Sequence, residues 1–126
     1  FHGYTYSGHP LAAAAGLATL AIYEEERLFE KAIALEAYWA DAVHAMKGLP
    51  HVIDCRNIGL VAGIELEARP GAPTKRAMEA FHRAFDSGLL VRVTGDIIAL
   101  SPPLILEKAH IDEIFGRLAD ILKTID

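Results

Sequence analysis

Residues 89–104 read LLVRVTGDIIALSPPL. Leu89 to Val93 and Ile97 to Leu100 are apolar, β-branched runs, and Thr94-Gly95-Asp96 between them has turn chemistry. Pro102-Pro103 cannot donate to a ladder and stops the sheet. Upstream, His51 to Ile58 and Leu60 to Glu67 predict two further short strands. Gly59 and Gly63 permit a tight turn or bulge between or within them. Arg69-Pro70-Gly71-Ala72-Pro73 is a turn. Thr74 is placed to cap a helix running to Asp86, with an apolar stripe of Ala77, Met78, Phe81, Ala84 and Phe85, and Gly88 ends it. A last helix carries Ile111, Ile114, Phe115, Leu118, Ile121 and Leu122 on one face. The expected fold class is α/β: a short mixed or antiparallel sheet with helices on one face, spanning 51–126.

Residues 10–47 predict a long helix entered through Pro10, which suits a first helical position. That length is long for one globular helix, so a break is expected near Glu26–Leu28. Residues 11–23 are apolar on almost every face, the signature of a helix buried all round. Residues 28–46 are amphipathic, with Leu28, Ile33, Leu35, Trp39, Val43 and Met46 among charges. So short a chain can hardly enclose the first half on all sides. It is expected to pack against protein outside this sequence. At 13 residues the stretch is well short of the ~20 a membrane span needs.

The chain has 126 residues, 52% of them apolar, and a net charge of −5. That composition excludes a disordered tail and argues against a nucleic-acid binder, whose domain is usually basic. One cysteine, Cys55, excludes an internal disulfide framework and a multi-cysteine zinc site. It fits a reducing, cytoplasmic setting and a buried, inert thiol. The six histidines show no metal-ligand spacing, so no metal site is expected. The sequence opens at Phe1 with no signal peptide in view, and a piece of a longer protein is expected.

Two places invite chemistry. The opening loop, FHGYTYSGHP, sets Gly3, Thr5, Ser7 and Gly8 directly before a helix, where N–H groups and the dipole favour an anion such as phosphate. The Gly3-to-Gly8 spacing is that of a Walker loop, but His9-Pro10 stands where Lys-Ser/Thr is required. The plain alternative is an ordinary turn with capping hydroxyls, His9 serving as N-cap. The second place is Arg92, a charge between Val91 and Val93. It is a candidate carboxylate clamp, or half of an ordinary ion pair with Asp96.

The stretch GYTYSGHPLAAAAGLATLAIYEEE resembles the opening of the C-terminal small domain of class III (ω-type) aminotransferases. RNIGLVAGIELE, GLLVRVTGDIIALSPPL and the last helix match the family in the same order, so the resemblance spans the whole chain. SGHP with VRVTGDIIALSPPL is most similar to the ω-amino acid:pyruvate (β-alanine:pyruvate) branch. The resemblance implies a fold-type I enzyme that uses pyridoxal phosphate and works as a homodimer on small-molecule amino donors and keto acids, with no nucleic acid or membrane as partner. It implies that residues 1–9 form a phosphate-contacting loop, in which Thr5 binds the cofactor phosphate, commonly in the neighbouring subunit's site, with the backbone N–H of Tyr4 beside it. It implies that Arg92 receives the substrate carboxylate. The family's Schiff-base lysine precedes the Gly-x-Thr-Tyr motif. None of Lys31, Lys47, Lys75, Lys108 and Lys123 fits that role, so no catalytic residue is expected in this chain and no transaminase activity from it alone. The contrasting expectation is a stand-alone, non-enzymatic dimerisation or binding module.

Overall fold

A computed structural model describes residues 3–126. The elements in order are α1 (Pro10–Glu25), α2 (Leu28–His44), β1 (Val52–Ile58), β2 (Val61–Leu66), α3 (Lys75–Asp86), β3 (Arg92–Thr94), β4 (Ile97–Leu100) and α4 (Lys108–Thr124). The four strands form one sheet in the order β1-β2-β4-β3, and every pairing is antiparallel. Of the two sheet types expected, the antiparallel one is present. Its β1–β2 and β3–β4 neighbours are hairpins closed at Ile58↔Val61 and Thr94↔Ile97. Gly59 and Gly95 turn them with φ of 53° and 61°, a region that favours glycine.

Register sorts the side chains onto two faces. Cys55, Ile64, Ile98 and Val93 line up across the strands on one face. That face meets α2, α3 and α4 and forms the core with Trp39, Val43, Ile111, Leu118 and Leu122. The helices thus cover one face, as expected from the period-2 strands and the stripe of α4. Cys55 is 3% exposed and its thiol is pushed up by burial, in keeping with an inert side chain.

The long helical stretch breaks where its length required. Arg27 takes a left-handed φ of 53° between α1 and α2. The second half ends at His44, before the expected Lys47, and runs on as turns to Gly48 at φ 92°. Ile33, placed in its apolar stripe by the sequence, is 70% exposed, whereas Leu28, Trp39, Val43 and Met46 are buried. No residue of α1 is buried, and Leu11, Leu17, Leu20 and Ile22 are exposed.

Four local readings are corrected. Gly63 lies in regular register opposite Arg56 and Ala99, and the irregularity sits between Val52 and Asp54 instead. Thr74 makes no side-chain cap; it adopts φ 68° and its backbone N–H donates to Asp96 Oδ1 at 2.8 Å. On α3 the buried positions are Arg76, Ala77, Ala80 and Ala84, while Met78 and Phe85 are exposed. The β3 strand covers Arg92–Thr94 rather than Leu89–Val93.

Arginines tie α3 to the segments around it. Buried Arg76 donates to the Glu67 carbonyl and to the Asp126 carbonyl oxygen. Glu79 accepts from Arg69 Nη2 at 2.6 Å and pairs with Arg83 Nη2 at 2.5 Å. The Arg69 hydrogen bond first, then the charges of Arg83 and Arg69, hold the Glu79 carboxyl below its usual range against the opposing effect of burial. A lowered folded pKa contributes stability above the unfolded value, and this is lost as pH falls through the folded one. The urea midpoint is therefore expected to fall from about pH 5 to below pH 4. Glu79→Gln should start lower at pH 7 and change less across that window; an equally steep fall would remove Glu79 from the account.

Candidate functional site

The face of the sheet turned away from the helices carries the candidate site. The pairings Arg56↔Gly63, Gly63↔Ala99 and Arg92↔Ala99 place one row across all four strands. Directly opposed residues share a face, so Arg56 and Arg92 stand at its two ends with only Gly63 and Ala99 between. The next row runs Asp54, Glu65, Ile97 and Thr94.

Arg92 is exposed, and among the described residues its side chain makes no ion pair or hydrogen bond. The expected pair with Asp96 is absent: Asp96 Oδ1 is taken by the Thr74 N–H, and the Asp96 carbonyl by the Leu66 N–H at 2.9 Å. The reason is the hairpin. Arg92 points out from the strand while Asp96, in the turn, faces the start of α3. Arg92 also lines a cavity of about 660 Å³ between α3, α4 and the β3 edge. Trp39, Met78, Phe81, Val91 and Pro103 supply apolar walls, and Arg92 is the one charged residue among the lining. A free guanidinium is suited to a carboxylate, because its planar fork matches both oxygens.

Arg56 is in the opposite state. Its Nη1 donates to Asp54 Oδ2 at 2.6 Å and to Glu65 Oε2 at 2.8 Å. The Glu65 bond, then the Asp54 bond, raises the guanidinium further, and the Arg56 bond holds the Asp54 carboxyl below its usual range. Sequence reasoning passed over this cluster. Its signal was present: the turn that pairs Ile58 with Val61 sets Asp54 opposite Glu65, with Arg56 two residues along on the same face.

The opening loop is a pair of tight turns. Ser7 N–H donates to the Tyr4 carbonyl and His9 N–H to the Tyr6 carbonyl, both at 3.1 Å. His9 is the N-cap, as expected, with Nδ1 accepting from the Ala12 N–H at 3.3 Å. Pro10 has no N–H, and Ala13 N–H goes to the His9 carbonyl at 2.9 Å. The helix end therefore offers an anion little beyond the Leu11 N–H. What the loop does offer is Thr5, exposed and with no hydrogen bond from its hydroxyl among the described residues. That hydroxyl fits a phosphate oxygen; a phosphate held chiefly by the helix dipole does not fit this cap. Tyr4 and Thr5 share one turn, and no hydrogen bond joins the Thr5 side chain to Arg92 among the described residues. No group of three or more His, Cys, Asp or Glu residues that could hold a metal ion exists among the described residues, and no helix there is long and apolar enough to cross a membrane.

The chain is 65% identical, over its whole length, to an omega-aminotransferase of Caulobacter vibrioides, and spans 29% of that protein. Over 98% of its length it is 36% identical to the beta-alanine–pyruvate aminotransferase of Pseudomonas aeruginosa, spanning 28% of it. Among solved structures, a thermostable omega transaminase 6-fold mutant from Pseudomonas jessenii superposes with a TM-score of 0.87 at 33% identity, over 96% of this chain and 28% of that one. The fold is thus the antiparallel α/β unit found in transaminases that use pyridoxal phosphate. With residues 1–122 matched by the class-III aminotransferase family, the chain belongs to that family.

Proposed function

We propose that this chain is the C-terminal small domain of an aminotransferase that moves an amino group from an ω-amino acid or amine, β-alanine-like, to a keto acid such as pyruvate. The observation that carries the reading is Arg92: a free, exposed guanidinium on the open sheet face of a class-III aminotransferase chain. Pyridoxal phosphate, when bound, supplies the electron sink that lets an amino group be handed over in two half-reactions. This chain's residues bind and orient. Arg92 takes the carboxylate of the amino donor or keto acid in a bidentate contact and so fixes which end of the substrate faces the cofactor. The Thr5 hydroxyl donates to a phosphate oxygen, with the Tyr4 backbone N–H alongside. The exposed apolar surface of α1 suits burial in a homodimer, in which that loop serves the neighbouring subunit's site. We place the enzyme in the cytoplasm, without nucleic acid or membrane as partner. The lysine that carries the cofactor belongs to the rest of the protein, and the 126-residue chain alone is expected to be inactive.

The test is the visible band of the bound cofactor in the full-length protein. Adding β-alanine should abolish it and adding pyruvate should restore it. A protein with no band would instead favour the non-enzymatic module. Thr5→Ala should weaken cofactor retention about tenfold to a hundredfold, the value of one hydrogen bond to a charged group, and Thr5→Ser should restore most of it. Equilibrium dialysis of cofactor reads this, and retention unchanged in Thr5→Ala would remove Thr5 from the phosphate site.

A further inference from the structure

We infer that Asp54 and Glu65 set substrate specificity on the Arg92 face by over-neutralising the second arginine in its row, Arg56. The inference rests on Arg92 receiving the substrate carboxylate. Register fixes the geometry. Adjacent strands lie about 4.8 Å apart, so three steps put the Cα atoms of Arg56 and Arg92 about 14 Å from one another. The two residues between them, Gly63 and Ala99, contribute a hydrogen and a methyl group. The Arg56 side chain lies across Gly63, with Ile97 at its border: a Cβ on Gly63 would come within 3.4 Å of Ile97 Cγ2, 3.7 Å of Arg56 Nε and 3.8 Å of Arg56 Cγ. It therefore extends over β2 on the Arg92 side of β1, and the strip of Gly63 and Ala99 left between the two side chains is a shallow trough bordered by Ile97.

The two ends of that trough differ in charge. Arg92 is a whole positive charge with no partner among the described residues. Arg56 is bonded through Nη1 to two carboxylates, so the cluster carries net −1 at neutral pH. A substrate with one carboxylate finds one free guanidinium. A second carboxylate, extending along the trough from Arg92, meets a net negative cluster where an unpaired Arg56 would have bound it. The face thus accepts amino and keto acids with a single carboxylate at this end and discriminates against dicarboxylates. Arg56, Asp54 and Glu65 act on specificity and take no part in the chemistry. One elementary charge at about 10 Å, between the dielectric of water and that of a protein surface, changes binding about two- to seventeenfold before salt screening. Salt should reduce the effect, since 10 Å is close to the screening length.

The experiment uses the full-length, cofactor-loaded enzyme and the competitive inhibition constants of glutarate and butyrate against pyruvate. These can be read whether or not a dicarboxylate is turned over. Glu65→Gln should lower the glutarate constant relative to that of butyrate two- to tenfold, and Asp54→Asn with Glu65→Gln should lower it further. Arg56→Gln, which leaves two unpaired carboxylates, should move the ratio the other way, and 0.5 M NaCl, which shortens the screening length to about 4 Å, should shrink both shifts. Opposite signs in Glu65→Gln and Arg56→Gln cannot come from a general loss of structure. An unchanged ratio, or shifts of the same sign, would overturn the inference. Arg92→Ala measured alongside separates the two readings. If it leaves pyruvate and β-alanine kinetics intact, the assignment of Arg92 fails. If it weakens them while the ratio stays fixed in the other variants, only the role of the Arg56 cluster fails.

Discussion

Replacing Arg92 with alanine in the full-length enzyme is expected to lower kcat/KM for β-alanine and for pyruvate on the order of 10²- to 10³-fold. Truncating one member of a hydrogen-bonded charge pair costs about 2–5 kcal/mol, and each 1.4 kcal/mol is a factor of ten. Amines without a carboxylate never make that contact, so their kcat/KM in the amine half-reaction should change less than about threefold. Arg92→Lys keeps the charge but loses the fork, and should fall between the wild type and Arg92→Ala. Folding should be spared, because Arg92 is exposed and bonded to nothing among the described residues; surface changes of that kind stay within about 0.5 kcal/mol. Steady-state kinetics with β-alanine, a plain amine and pyruvate decides the matter. Equal losses for the amine and the amino acid would mean that Arg92 acts on something other than the carboxylate.

Much of this arrangement is written in local chemistry. Gly59 and Gly95 mark two hairpins, and both occur at positive φ. The stripe on α4 is long and regular, and Ile111, Phe115, Leu118 and Leu122 are buried as its period requires. What the sequence did not show depends on contacts distant along the chain. Helix α3 touches both the sheet and α4, which puts the small residues Ala77, Ala80 and Ala84 inside. The larger Met78 and Phe85 weigh more in any apolar stripe yet are exposed. Thr74 has the side chain of a cap, but Asp96, from a turn 22 residues later, claims its backbone N–H instead. The same bond removes Asp96 from Arg92 and leaves the candidate site its free charge. Thr5 and Arg92 stand out by local chemistry and take their roles from the family's motifs, whereas Asp54, Arg56 and Glu65 become a cluster only once the β1–β2 register is known.

Trp39→Ala should cost the chain about 3–5 kcal/mol, the usual range for removing a large aromatic from a core. Trp39 is 0% exposed and packs edge-on against Phe115 of α4, with ring centroids 5.1 Å apart at 71°. It thereby joins α2 to α4 and borders the apolar cavity beneath β3. Trp39→Phe should behave differently. The indole Nε1 is buried and has no hydrogen-bond partner among the described residues. A buried donor left unsatisfied costs about 1–3 kcal/mol. Phenylalanine removes that burden and keeps an aromatic edge for Phe115, at the expense of part of the ring volume. The two effects oppose each other, and the net loss should stay below about 1.5 kcal/mol, as for other swaps that nearly conserve volume. Urea unfolding at constant slope reads both variants on one scale. A Trp39→Phe variant as unstable as Trp39→Ala would show that the indole is held by its nitrogen rather than by its faces, and would place an acceptor beside Nε1.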